Sequence, residues 1–91
     1  IVPLLRALAD PAGSEPLPQL EWSPSVAVGV VMASRGYPAS PVLGDDITGI
    51  SEQLSPEVQV FHAGTELRAG KLVTAGGRVL TVSGLAPSVA E

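Results

Sequence analysis

A chain of 91 residues has room for one small domain, which buries only about 60–65% of its unfolded surface, and has none for an enzyme with a deep nucleotide cleft. The 45% hydrophobic and 15% charged content argues for a folded chain over a disordered one, and with Trp22, Tyr37 and Phe61 as aromatics the core is aliphatic and platforms for stacking bases are nearly absent. A net charge of −4, with the cations Arg6, Arg35, Arg68, Lys71 and Arg78 scattered along the chain, argues against a nucleic-acid partner; the lack of cysteine excludes disulfides and thiolate metal sites and fits a cytoplasmic protein.

Ile1, Leu4, Leu5 and Leu8 fall at helical spacing and predict a short amphipathic helix over residues 1–9, stopped by Asp10-Pro11. So short a helix is marginal in water and needs a surface to lie against. Pro11, Gly13, Ser14, Pro16, Pro18 and Pro24 make the next segment an extended linker or wrapping loop. The run from Val26 to Ala33 is almost continuously apolar and rich in β-branched residues, the pattern of a strand buried on both faces. It is far too short to cross a bilayer, which takes roughly 20 residues, so no membrane partner is expected. Gly36, Pro38, Ser40, Pro41 and Gly44 then force a loop.

Residues 46–50 read as a short strand, and Val58-Gln59-Val60-Phe61-His62 alternates as a half-buried one. Residues 66–68 and 71–74, joined by Ala69-Gly70, read as a hairpin whose turn type the alanine leaves open. Another strand covers residues 78–83 after Gly76-Gly77. Ser88-Val89-Ala90-Glu91 matches a capping box, which predicts the start of a helix.

These residues nominate little chemistry. A serine nucleophile needs a histidine and an orienting carboxylate, and the single histidine, His62, reads as a hydrogen-bonded structural residue of an apolar strand. Asp45-Asp46 has the charge to bind a divalent cation, but adjacent carboxylates in a loop point in alternate directions and usually belong to solvent. A phosphate loop of the form G-x-x-x-x-G-K-[ST] is not found. Two constellations stand out. In Ala33-Ser34-Arg35-Gly36-Tyr37-Pro38 a strand ends in a charged, kinked loop, where a scaffold presents functional groups; a plain turn with Tyr37 as a lid on the core fits as well. In Gly76-Gly77-Arg78 two residues without side chains permit close backbone approach, and the arginine offers a planar fork of donors suited to phosphate. A flexible turn before a solvent-facing arginine fits that string equally.

The strings Val26-Ala27-Val28-Gly29-Val30-Val31-Met32-Ala33-Ser34-Arg35-Gly36-Tyr37-Pro38, Val60-Phe61-His62-Ala63-Gly64-Thr65 and Gly76-Gly77-Arg78-Val79-Leu80 occur in this order and at similar separations in phosphoribosylamine–glycine ligases. From Trp22 to Glu91 the chain resembles the carboxy-terminal part of that family, and Ile1-Val2-Pro3-Leu4-Leu5 is similar to the segment just after its metal-binding motif. Between Arg6 and Glu21 the family usually has a longer helical stretch where this chain has a short Pro-rich one.

The resemblance implies a mainly β (α+β) fold: residues 1–21 as a helical stub and Pro-rich linker from the end of an ATP-grasp domain, and residues 22–91 as a small antiparallel β-rich C-terminal domain, incomplete at its end. It implies that the full-length enzyme joins glycine to 5-phosphoribosylamine in purine (IMP) biosynthesis. By the same resemblance that enzyme is expected to be cytoplasmic, to use ATP with Mg²⁺ or Mn²⁺, to yield ADP and phosphate, and to pass through an acyl phosphate on glycine. The ATP lobes and metal ligands are implied to lie before Ile1, so this stretch holds no catalytic or metal residue and binds no cofactor alone. Its implied partners are the ATP-grasp core of the same polypeptide, phosphoribosylamine and glycine, and its role is to close the active site. Arg78 is implied to approach the ribose phosphate, with Gly76, Gly77, Arg35 and Tyr37 as further substrate-binding residues. The alternative is an independent β-rich module that binds a protein or a carboxylated small molecule, with Arg78 and Lys71 as ordinary surface charges.

Overall fold

The computed structural model describes residues 1–14, 16–50 and 55–90. Its elements are α1 (Val2–Ala9), β1 (Val26–Ala33), β2 (Val58–His62), β3 (Thr65–Arg68), β4 (Lys71–Thr74) and β5 (Arg78–Ala86). The antiparallel, mainly β architecture with a helical stub is the one that the resemblance implies.

Pro3 stands in the first turn of α1, where a missing N–H costs nothing. The helix stops at Asp10, whose carboxylate accepts the amides of Ala12 at 3.0 Å and Ser14 at 3.2 Å and the Ser14 hydroxyl at 2.8 Å. Only Ala7 of α1 is buried; Leu5 and Leu8 are exposed, so the apolar face lies open. Residues 16–23 form neither helix nor strand, in keeping with their prolines.

The main sheet has the order β1-β5-β2, antiparallel throughout. Its register sets the rows Val30–Val82–Val60 and Val28–Gly84–Val58 on one face, and Val31–Thr81–Phe61 and Gly29–Ser83–Gln59 on the other. One face is therefore aliphatic and the other mixed. β5 runs on to Ala86, past the predicted end, because it is paired on both sides through Gly84.

The double burial expected for β1 is not found: Val26 is half-buried and the rest of the strand is exposed. β1 is an edge strand with β5 as its single neighbour among the described strands, and both Val30 and Val31, on opposite faces, meet solvent. In β2, Val58 and Val60 are half-buried and Gln59 and Phe61 are exposed, the predicted alternation.

β3 and β4 form the predicted hairpin, and its turn is now defined. Ala69 and Gly70 have φ of 51° and 77°, so both central residues are left-handed, as a type I′ turn requires. The strand expected at residues 46–50 reduces to one bridge between Asp46 and Val73. Ile47 donates to the carbonyl of Leu72 at 2.8 Å, but Gly49, with φ of 84°, then turns the backbone out of the extended region. Residues 87–90 form a bend and a turn, and Glu91, on which the capping box depends, lies outside the described residues.

Apart from Ala7 of α1, the buried residues among those described gather at one end of the sheet: Val73 and Thr74 of β4, Val79 and Leu80 of β5, and Ser34 just after β1. The radius of gyration is 18.0 Å, against about 12 Å for a compact chain of this length. The packed part is thus local, and it sits beside the loop after β1 and the glycines before β5.

Candidate functional site

β5 opens with an irregularity. Along β1, Met32 pairs with Leu80 but Ala33 pairs with Arg78, so Val79 is an extra residue in the ladder. Val79 and Leu80 are buried in succession, as a β-bulge allows and a regular strand exposed on one face does not. On the other side the consecutive amides of Ala63 and Gly64 donate to the consecutive carbonyls of Val79 and Arg78, at 2.9 and 3.0 Å. A bulge re-aims the side chains next to it, and here the neighbour is Arg78.

The two glycines before Arg78 are gripped from both flanks. The Ser34 amide donates to the carbonyl of Gly77 at 2.8 Å, and the buried Ser34 hydroxyl donates to the carbonyl of Gly76. A Cβ on Gly77 would lie 2.7 and 2.8 Å from Cδ2 and Cε2 of Tyr37, so the phenol ring rests on the Gly77 backbone. A Cβ on Gly64 would lie 2.7 Å from the Arg78 carbonyl oxygen and 2.8 Å from the Gly76 Cα. The first need for these glycines is therefore the chain's own close packing. Thr74 fastens the outer loop to β4, its buried hydroxyl accepting the Asp45 amide at 3.1 Å and donating to the Val42 carbonyl at 3.3 Å.

Between these segments lies an open cleft of about 570 Å³, lined by Val31, Tyr37, Ala63, Gly77, Arg78, Leu80 and Thr81. Arg78 is exposed and, among the described residues, makes no ion pair. The other strand and loop cations do: Arg35 with Asp45 at 3.1 Å, Arg68 with Glu66 at 2.9 Å and Lys71 with Asp46 at 3.5 Å.

Of the residues singled out in the sequence, the fold brings Arg78, Gly77 and Tyr37 together around this cleft. Gly76 does not line it, and its Cα packs on Gly64. Arg35 stands apart, 72% exposed and held by both oxygens of Asp45. Asp45 and Asp46 each face a different cation, and no group of three metal-ligating side chains occurs among the described residues. His62 is exposed, with Nδ1 3.0 Å from the Thr65 hydroxyl. For Thr74 the sequence carries no sign of such a role; Ser34 stands in the string after β1 without a sign of its two bonds, and a glycine between two strands is the one visible hint for Gly64. The Glu57 carboxyl, held below the usual value by the Ser55 hydroxyl, is fully exposed and lies at the far end of β5.

The family model described as phosphoribosylglycinamide synthetase, C domain, matches residues 27–91. The chain belongs to this family. Phosphoribosylamine–glycine ligase of Xylella fastidiosa is 51% identical over 74 residues, 80% of this chain and 17% of the relative. That of Halalkalibacterium halodurans is 44% identical over 91 residues, 100% of this chain and 20% of the relative. The likeness thus extends through the Pro-rich segment before Trp22. The crystal structure of phosphoribosylamine–glycine ligase from Thermotoga maritima matches with a TM-score of 0.59 and 46% identity, over 71% of this chain and 15% of that one. The chain spans about a fifth of the length of these relatives. Among the described residues no helix is long and apolar enough to cross a membrane.

Proposed function

We propose that this chain is the carboxy-terminal part of a cytoplasmic phosphoribosylamine–glycine ligase, and that its cleft holds the ribose phosphate of phosphoribosylamine. Residues 1–21 are the stub and linker from the ATP-grasp domain, and residues 22–91 the β-rich domain that closes the active site. ATP and Mg²⁺ or Mn²⁺, held by the rest of the polypeptide, supply the activation of glycine in this step of purine biosynthesis. The observation that carries the reading is Arg78, a guanidinium with no carboxylate of its own among the described residues, in an open cleft with Tyr37 and Gly77.

A phosphate dianion takes two parallel N–H donors from a guanidinium, and charge-assisted bonds of this kind contribute about 1.5–3 kcal/mol each. The aliphatic walls Val31 and Leu80 strengthen the attraction by keeping water from one side. Arg78 performs no bond-making in this scheme; it orients the amine toward activated glycine. In the full-length ligase, Arg78→Lys keeps the charge and loses the fork, so KM for phosphoribosylamine rises about tenfold or more. KM for ATP and glycine and the melting temperature stay as in the parent. Equal losses for all three substrates, or a large fall in melting temperature, would show Arg78 to be structural.

A further inference from the structure

We infer that Tyr37 is a positioning residue for Arg78, acting through Gly77 with its ring and not with its hydroxyl; the inference rests on the reading that Arg78 holds the phosphate. The peptide that leads into Arg78 is fixed at both ends. The carbonyl of Gly77 is held by the Ser34 amide at 2.8 Å, and that of Arg78 by the Gly64 amide at 3.0 Å. The carbonyl of Gly76 is held too, by the Ser34 hydroxyl, so both peptides that meet at the Gly77 Cα hang on Ser34; the Tyr37 ring lies against that same atom, so close that a methyl group there would come within 2.7–2.8 Å of it. Glycine at residue 77 lets the ring seat, and the seated ring keeps Gly77 from swinging Arg78 off the cleft.

The backbone that carries the ring is well anchored. The Tyr37 amide donates to the Ser34 carbonyl at 3.1 Å, and Ser40 donates to Gly36 at 2.9 Å, closing a tight turn around it. The phenol hydroxyl, by contrast, has no hydrogen-bond partner among the described residues, and Tyr37 is 46% exposed. Taking the hydroxyl away leaves the contact with Gly77 whole; taking the ring away removes it.

The test is a mutant cycle in the full-length ligase, with kinetics in each substrate and thermal melting. Tyr37→Phe stays within about twofold of the parent in every constant. Tyr37→Ala raises KM for phosphoribosylamine about tenfold to a hundredfold, leaving KM for ATP and glycine in place, as expected for a misplaced binding group. Gly77→Ala does the same, since its methyl displaces the ring, and the double variant is no worse than the weaker single one. A loss in Tyr37→Phe as large as in Tyr37→Ala would assign the hydroxyl to the substrate and overturn the inference. Additive losses in the double variant would overturn it too. If Tyr37→Ala does not fold, Tyr37→Leu replaces it in the cycle and is judged by the same coupling. Arg78→Lys separates the two levels. With no selective effect of that change, the reading of the cleft fails; with a selective effect there and none from Tyr37→Ala or Gly77→Ala, only the positioning role fails.

Discussion

Replacing Ala69 by asparagine should stabilise the β3–β4 hairpin. Ala69 has φ of 51°, in the left-handed region, where a Cβ crowds the following carbonyl and an L-residue loses about 1–2 kcal/mol. Asparagine tolerates this region because its side chain bonds locally, and Asn-Gly is the preferred pair of a type I′ turn. The substitution recovers about 1 kcal/mol. Glycine removes the crowding entirely but costs about 0.5–1 kcal/mol of extra unfolded-state entropy, so Ala69→Gly gains less. Gly70 supplies the opposite control. A Cβ there meets nothing within 4 Å, yet its φ is 77°, so Gly70→Ala loses about 1–2 kcal/mol through the backbone alone. The exposed pairs Arg68–Glu66 and Lys71–Asp46 beside the turn add little and are the same in all variants. Amide exchange of β4 reads local opening and does not require two-state unfolding of a large protein. Exchange should slow about fivefold for Ala69→Asn and quicken by fivefold or more for Gly70→Ala. No change for Ala69→Asn, or a Gly70→Ala variant as protected as the parent, would refute the turn assignment.

The Glu57 carboxyl lies below its ordinary value because it accepts the Ser55 hydroxyl and, second, its own backbone amide. Its contribution to folding is therefore present above the unfolded-state value and is lost as pH falls through the lower folded-state one. In an NMR titration Ser55→Ala should move the Glu57 midpoint upward, and an unmoved midpoint would contradict the assignment. Expressed as residues 1–91 alone, the chain should self-associate at micromolar concentration, because β1 offers an eight-residue uncharged edge without proline and Val28, Val30, Val31 and Met32 are all about half exposed. Sedimentation should show oligomers that Val30→Lys reduces; a monomer for the parent chain would exclude this use of the edge.

What the sequence reveals of this fold is what neighbours along the chain decide. The hairpin is legible because alternation and Ala69-Gly70 fix it within ten residues, and β2 because Val58 and Val60 keep to one side. The site is legible only in part. Arg78 and Tyr37 announce themselves by residue type, but their meeting depends on pairing across more than forty positions, as does the bond from Ser34 to Gly76. The bulge at Val79 has no local signature, since Val79 and Leu80 would suit a regular strand; it exists only relative to the register of β1. Gly64 likewise reads as a turn glycine until the backbones of Gly76 and Arg78 are found against it.

β1 shows the other limit. A continuous apolar run states that both faces of a strand are meant to be covered, and it is silent on which polypeptide covers them. Here Val30 and Val31 face solvent on opposite sides, and among the described residues the aliphatic row Val30–Val82–Val60 has no layer over its β1 end. Each Å² of such surface left in water forgoes about 25 cal/mol. On the proposed reading, other parts of the polypeptide would supply that cover, and the surface that makes residues 1–91 sticky alone is the surface that seats the domain against the ATP-grasp core. The cleft at Arg78 opens at the same end as the packed residues, so seating through the apolar sheet would fix where that guanidinium stands relative to glycine. The edge strand and the arginine are then two parts of one requirement: a small domain with little core of its own holds a phosphate in place only when a larger one holds the domain.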